Sequence, residues 1–592
     1  MEWDLSALFE DTNQIDQLIT DLTSTVEELK QYRGTIIQMS ADKLAEFLEE
    51  YEKFELARSK LGQFPRLRIA ANAKDEEAVA LQNRISKVNT NWDKDLAFIT
   101  LEIGKLLQKE PDLPDDKRLA DRRYYLQRQQ QMAKYRLSEP EEVIILEKNQ
   151  YGTEQWSQLQ GDLVSKTEFE LEIYGEIQKH SWSSGYGLRS HQDHHTRKAA
   201  IQGLGKGLQK NAEVYAYALR NVCADYTTEA QRRGYPNYME SSLHSSHLSK
   251  EIVDTMFSVL LDNVDIFQEF LQIKAEILGT EKLRGEDLEA PYPFAVDRKI
   301  PWEEAKEIVE EGFTEFNEEF GEIAATMFGQ NRVDAKPRPG KRAGAFCSTH
   351  YEGQSAFIML SYNENMSSLA TLAHEMGHAV HAYYITREQP LLHSSMGMPL
   401  AETASEFGSL LFNLKFMKEA KEETEKKAVL FDMVDNFMIV MFEVASRTLF
   451  ETGLYEAIDN DEYLNPERIN EIFWDARQQV FGDAINWLPE QAYHWCWKPH
   501  YYISGLRYYN YPYVFGEFSV LSMYAAYRKD KTEFTRNYKE FLKAGGSRHP
   551  SEMFTELFGF DLTAETFWQA GIDELRNFVN QCKDYLPAKT EE

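Results

Sequence analysis

Apolar residues recur three and four positions apart through most of this chain, and that period constrains the fold before any motif is considered. At 3.6 residues per turn such spacing gathers into one stripe along a helix. Residues from about 11 to 180 keep to it, as in "DKLAEFLEEYEKFELARSKLGQF" and "EEVIILEKNQYGTEQWSQLQGDL". The pattern runs on from about 190 to 330, where "EEAKEIVEEGFTEFNEEFGEIAATMFG" reads as an acidic amphipathic helix with a solvated charged face. It resumes after residue 400 and lasts almost to the end. Breaks are expected at "EPDLPDDKR", "SWSSGYG" and "KAGGSRHPSE". Only residues 331–363 differ: turn residues lead into two short apolar runs, "AGAFCS" and "AFIMLSYN", which predict two strands of a small sheet. The expectation is a mainly α protein, with a helical N-terminal lobe over residues 1–190 and a second domain over 191–592.

Charge narrows the function classes. The formal net charge is −32, against the clustered lysine and arginine that phosphate neutralisation or an anionic bilayer would need. Neither a nucleic-acid nor a membrane partner is expected. The four cysteines, Cys223, Cys347, Cys496 and Cys582, share no CxxC spacing, so no thiolate metal site or redox pair is predicted. The N-terminus "MEWDLSALFEDTNQ" lacks a basic region followed by an apolar run, and the longest apolar runs are too short to span a bilayer. The expected location is cytoplasmic.

Chemistry concentrates in "TLAHEMGHAVHAYY", residues 371–384, directly after the expected sheet. On a helix His374 and His378 lie one turn apart on one face, where both imidazoles can reach a single ion. Glu375 is offset from them and projects beside that ion. A bound Zn²⁺ lowers the pKa of water from about 15.7 to about 7, and an adjacent carboxylate can take its proton. This is the chemical content of an HExxH motif.

A catalytic zinc usually has three protein ligands. His381 lies on the same helix face, but about 10 Å along the axis from His374 at roughly 1.5 Å per residue, too far to share an ion. It is read as packing, or as a residue supporting the ligands from behind. The better third ligand is Glu402 in "MGMPLAETASEFGSLLF", where Gly397 breaks the chain and Pro399 suits the first turn of a new helix. Glu406, one turn on, would sit behind a ligand histidine and fix its tautomer. Flanking Leu400, Ala401, Ala404 and Phe407 imply that these carboxylates are buried.

With those residues in place the chain resembles the oligoendopeptidase F branch of the thimet oligopeptidase-like zinc metallopeptidases. The likeness rests on "TLAHEMGHAVHAYY" and "PLAETASEFGSLLF" at their separation, and extends upstream to "GKRAGAFCS", "IMLSYNENMSSLATLAHE" and the opening "WDLSALF". Downstream it takes in "WKPHYYISGLRYYNYPYVFGEF" and "FLKAGGSRHPSEMF". It implies a two-lobed helical metallopeptidase with a deep substrate channel, one Zn²⁺ per chain, and short unstructured peptides cut at internal bonds. Carried over, His374, His378 and Glu402 are the ligands and Glu375 the general base. The resemblance also places a histidine and tyrosines after Pro499, where they bind substrate and steady the oxyanion. His500 matches the histidine. The segment that follows is longer than is usual in the family; aligned on "YPYVFG", Tyr513 takes the oxyanion role and Tyr509 a substrate-binding one, with Tyr502 also assigned to substrate and Tyr508 and Tyr511 as further possibilities.

Two other readings share these residues: a zinc carboxypeptidase or dipeptidase of related helical fold, and a catalytically silent peptide-binding protein. Oligomeric state is not encoded in any motif. "SHQDHHTRK", with His191, His194 and His195, reads as a polar helix start rather than a second metal site. "GLGKGLQK" lacks the spacing and preceding strand of a phosphate loop.

Overall fold

The computed structural model describes residues 1–294 and 298–586. It is mainly helical, with three small sheets among the described residues. Two compact units interleave along the chain. The first takes Met1–Val143, Asp297–Lys415 and Ala526–Asp561; the second takes Ile144–Val296, Phe416–Ala525 and Leu562–Glu592. Residue 190, where a single boundary was expected, lies inside the second unit. No helix among the described residues is long and apolar enough to cross a membrane.

In the first unit, long helices at Ala41–Ala71 and Glu76–Lys109 pack around a core that includes Leu44, Phe47, Leu48, Ile99 and Ile103. Phe357, from the sheet, belongs to the same core, with its ring edge-on to Trp3 at 6.1 Å. The two strands expected here form at Phe346–His350 and Ser355–Met359, antiparallel, with Cys347 opposite Ile358. A short strand, Val333–Asp334, adds in parallel on the other side of Ser355–Met359. The central strand is buried over Ala356–Met359, as a strand covered on both faces should be.

The acidic segment expected as one helix is two, Trp302–Phe316 and Glu318–Gly329. Asn317 separates them in extended conformation, φ −158°, and its side chain accepts from Glu319 N to start the second. A side-chain oxygen that caps a new helix competes directly with continuing the old one.

The second unit holds the larger departure from the helical reading. Phe169–Ile173 and Glu176–His180 form an antiparallel hairpin. Its two-residue turn is Tyr174 (φ 51°) and Gly175 (φ 82°), the pair of positive φ angles that matches strand twist. The first strand alternates with period two: Phe169 and Leu171 are buried while Glu170 and Glu172 face solvent or its margin. Behind it lies the helix His194–Gln209, started by Asp193, whose carboxylate accepts from Thr196 N at 2.8 Å. Its glycine run is a packing device. A Cβ on Gly203 would meet Glu170 O at 2.5 Å, and one on Gly205 would meet Glu490 at the same distance.

Candidate active site

The helix Met366–Glu388 follows the sheet and carries HEMGH. Asn365 and Ser368 form a capping box at its start: Ser368 N donates to Asn365 Oδ1 at 2.9 Å, and Asn365 N to Ser368 Oγ at 3.4 Å. A second helix, Gly397–Glu419, crosses it and carries Glu402 and Glu406.

The crossing brings His374, His378 and Glu402 together, each offering one ligand atom and all three atoms within 4.8 Å of one another. Glu402 Oε2 lies 3.8 Å from both His374 Nε2 and His378 Nε2. Two nitrogens and an oxygen on a tetrahedral ion with bonds near 2.1 Å would be about 3.4 Å apart, so the group fits a first-row divalent cation with little movement. Its electrostatics also suit a cation. Burial raises the Glu402 carboxyl. Burial, with His374 beside it, pushes His378 well below its ordinary value and so keeps it a neutral lone-pair donor.

Glu406 Oε1 is 3.2 Å from His374 Nδ1, and Ser409 Oγ is 3.4 Å from the same atom. Burial opposes a charged His374, but the Glu406 carboxylate outweighs it and raises the imidazole to about 10. Glu406 accepts from Nδ1–H, which leaves Nε2, facing Glu402, as the nitrogen that would give up its proton to hold a cation. Glu375 is 6% exposed, and its Oε2 is buried with no hydrogen-bond partner. Burial is the main cause that lifts its carboxyl to about 7; His374 opposes, while Glu402 and Glu406 add to the rise. His381 is 3% exposed, stacks on Phe541 at 6.5 Å, and is pushed down to about 3 by burial. It is a neutral packing residue outside the ligand group.

The segment after Pro499 belongs to the second unit. His500 is held by Asn510, whose amide donates to Nε2 at 3.2 Å, which leaves the ring proton on Nδ1. The tyrosines divide by burial. Tyr502 departs from expectation: it is 0% exposed, and its hydroxyl is buried without a hydrogen-bond partner, so it packs the core instead of presenting a phenol. Tyr508 stacks on Tyr455 at 5.6 Å, and Tyr511 accepts from Ser242 Oγ at 3.2 Å; both are buried. Tyr509 and Tyr513 are only half-buried. Their hydroxyls hydrogen-bond to each other, and the Tyr509 ring lies 5.5 Å from that of His500.

The model of peptidase family M3 matches residues 188–574, well over half the chain. The chain belongs to peptidase family M3. The oligopeptidase F model matches residues 112–169 as well. Among curated relatives, an oligoendopeptidase F homolog of Lactococcus lactis is 26% identical over 65% of this chain and 63% of its own length. Less than two thirds of that relative's length is therefore spanned. An oligoendopeptidase F homolog of Borreliella burgdorferi is 24% identical over 95% of this chain and 94% of its own. The crystal structure of oligoendopeptidase-F from Enterococcus faecium superposes with a TM-score of 0.71 at 20% identity, over 97% of this chain and 98% of that one.

Within this M3 chain the sequence reading overlooked three residues: Ser409 and Gly377 beside the histidines of HEMGH, and Asn510 beside His500. Ser409 lies seven residues after Glu402 on one helix face, a period that could have revealed it. Asn510 carried no signal beyond being polar in an aromatic run. Gly377, the fourth residue of HEMGH, has no side chain to signal a role; a Cβ on it would come within 3.0 Å of Ser405 Cα on the crossing helix.

Proposed function

We propose that this chain is a zinc-dependent oligoendopeptidase that hydrolyses internal bonds of short unstructured peptides, with Glu375 as general base. The observation that carries this is Glu375: a buried carboxylate, unpartnered at Oε2 and lifted to about 7, adjacent in sequence to a His–His–Glu ligand group. His374, His378 and Glu402 would hold one Zn²⁺, which supplies Lewis acidity when bound, acidifying water and polarising a carbonyl.

The protein's own groups do the rest. Glu375 has the proton affinity to accept a proton from water near neutral pH and return it to the leaving amine. Glu406 keeps His374 in the tautomer that points Nε2 inward. His500 and Tyr513 are assigned to steadying charge on the scissile carbonyl oxygen, and Tyr509 to the peptide. What supports them is their match to the family pattern together with the half-buried, mutually bonded phenols. Tyr502, being fully buried, is left to packing. Residues 191–592 contain every residue given a catalytic role, and a cytoplasmic location is part of the proposal.

The test is an unstructured peptide blocked at both termini, incubated with and without chelator, its products sized by mass spectrometry. Chelator-sensitive cleavage at an internal bond is expected. Cleavage only when a terminus is free would replace this reading with a carboxypeptidase or dipeptidase.

A further inference from the structure

In the second unit, two guanidiniums share one carboxylate, and a lysine lines the same cavity. Arg447 and Arg477 both donate to Glu443, Arg477 at 3.3 Å. Burial opposes the charge on Glu443, yet Arg447, Lys498 and Arg477 hold its carboxyl down at about 2. Lys498 sits over Trp497, 4.2 Å from the ring centroid, and no carboxylate among the described residues forms an ion pair with it. Burial, followed by Arg447, pushes its ammonium well below the ordinary value, the response of a cation crowded by cations. These groups line a cavity of ≈ 210 Å³. Arg189, paired to Glu289, lies on the same wall. The remaining acid there is Glu286, 3.9 Å from His194. His494 also lines the cavity and is held neutral by burial and Arg189.

Unmet hydrogen-bonding capacity points the same way. Arg477 is 5% exposed, and its Nε and Nη1 are buried without an acceptor; the Nε atoms of Arg447 and Arg189 are in the same condition. A guanidinium only donates, and a buried donor without an acceptor is costly. The backbone is also irregular here. The helix Glu423–Met438 passes into Val444–Asp459 through a π-turn at Ile439–Glu443, and both ends of that turn line the cavity. Such insertions break the helical ladder and recur at functional sites. A chain of net charge −32 has no general excess of cations to account for this cluster.

We propose that this cavity is a binding site for a compact oxyanion, a phosphate or a carboxylate, held by Arg477, Arg447 and Lys498. Guanidinium forks match the paired oxygens of either group, and the ammonium adds a point charge. Trp497 and Tyr186 on the wall would cover the apolar part of an organic carboxylate. Two sources supply this chemistry: free inorganic phosphate, and the carboxylate end of a peptide.

The experiment is isothermal titration of the full chain with inorganic phosphate at fixed ionic strength, a readout that needs no turnover and so stands apart from the peptidase assignment. One phosphate per chain is expected. Lys498→Gln, which breaks no ion pair, should weaken it at least tenfold, and Glu443→Gln, which removes the competing carboxylate, should strengthen it. Neither variant alters the His374 group. N-acetylphenylalanine and its amide then separate the sources. Displacement of phosphate by the acid alone assigns the site to carboxylate ends as well, and displacement by neither assigns it to the free anion. Absence of saturable binding, or binding indifferent to both variants, overturns the proposal.

Discussion

A Cβ on Gly377 would sit 3.0 Å from Ser405 Cα and 3.3 Å from its carbonyl oxygen, so the two helices meet here backbone to backbone. From the other side, a Cβ on Gly408 would lie 3.8 Å from Gly377 Cα. The absence of a side chain in the middle of HEMGH is what lets Glu402 Oε2 come within 3.8 Å of both imidazole Nε2 atoms. Gly377→Ala should force the helices apart. The expected cost is about 1–3 kcal/mol of stability, as for other overpacked contacts, with a larger proportional loss of metal retention. Denaturant unfolding and metal content after dialysis against graded chelator check it; wild-type metal retention would remove Gly377 from this account.

Glu375→Gln should keep the metal and lose turnover. The amide fills the same space but cannot take a proton, and general-base contributions are typically 10²–10⁴-fold in rate. Metal analysis and kcat on the same preparation decide the matter. Turnover within a few-fold of wild type would end the role given to Glu375.

Glu406→Gln tests the contact behind His374. Its carboxylate lies 3.2 Å from His374 Nδ1. Loss of such a partner typically costs about 10–100-fold in metal affinity. Competition with a chromogenic chelator measures it directly.

The tyrosines give a paired test. Tyr513→Phe removes a half-buried phenol bonded to Tyr509 and should lower kcat. Tyr502→Phe removes a buried hydroxyl with no partner. It should leave kinetics unchanged and raise stability modestly, since an unsatisfied buried hydroxyl costs about 1–3 kcal/mol. Equal kinetic damage from both substitutions would contradict the division by burial.

Acid lability should come from buried neutral histidines. His350 and His393 are each 3% exposed, and burial lowers both to about 4; Arg332 adds to the effect at His350, and Arg122 at His393. A depressed folded-state pKa means that the stability is fully present above the unfolded value near 6.5 and is lost as pH falls through 4. Each contributes a loss of roughly 3 kcal/mol across that window. Both His393 ring nitrogens lack hydrogen-bond partners, so His393→Leu should flatten the pH dependence of the urea midpoint between pH 6.5 and 4. An unchanged slope would assign acid lability to other groups.

What depended on neighbours in sequence was legible. The period of three and four gave the helices, and HExxH spacing placed His374 and His378 on one face with Glu375 beside them. Gly397 and Pro399 marked the start of the helix that carries Glu402. Even where the helical reading failed, at the hairpin around Tyr174–Gly175, the period-two burial of Phe169 and Leu171 was present in the sequence; an acidic, helix-favouring neighbourhood masked it.

Contacts between distant segments were decided by the fold. The interleaving of three stretches into each compact unit is a matter of which helices bury which faces, and no local pattern encodes that. The same holds for the tyrosines: "HYYISGLRYYNYPY" offers near-identical phenols, and only packing sends Tyr502, Tyr508 and Tyr511 into the core while Tyr509 and Tyr513 keep an open side. By itself the sequence determined the helical class and the pairing of His374 with His378, because spacing along one helix sets which side chains share a face. The tertiary structure alone determined how closely two helices approach at Gly377 and which phenols stay half-buried, because steric contact between residues far apart in the chain has no signature in either one's neighbours.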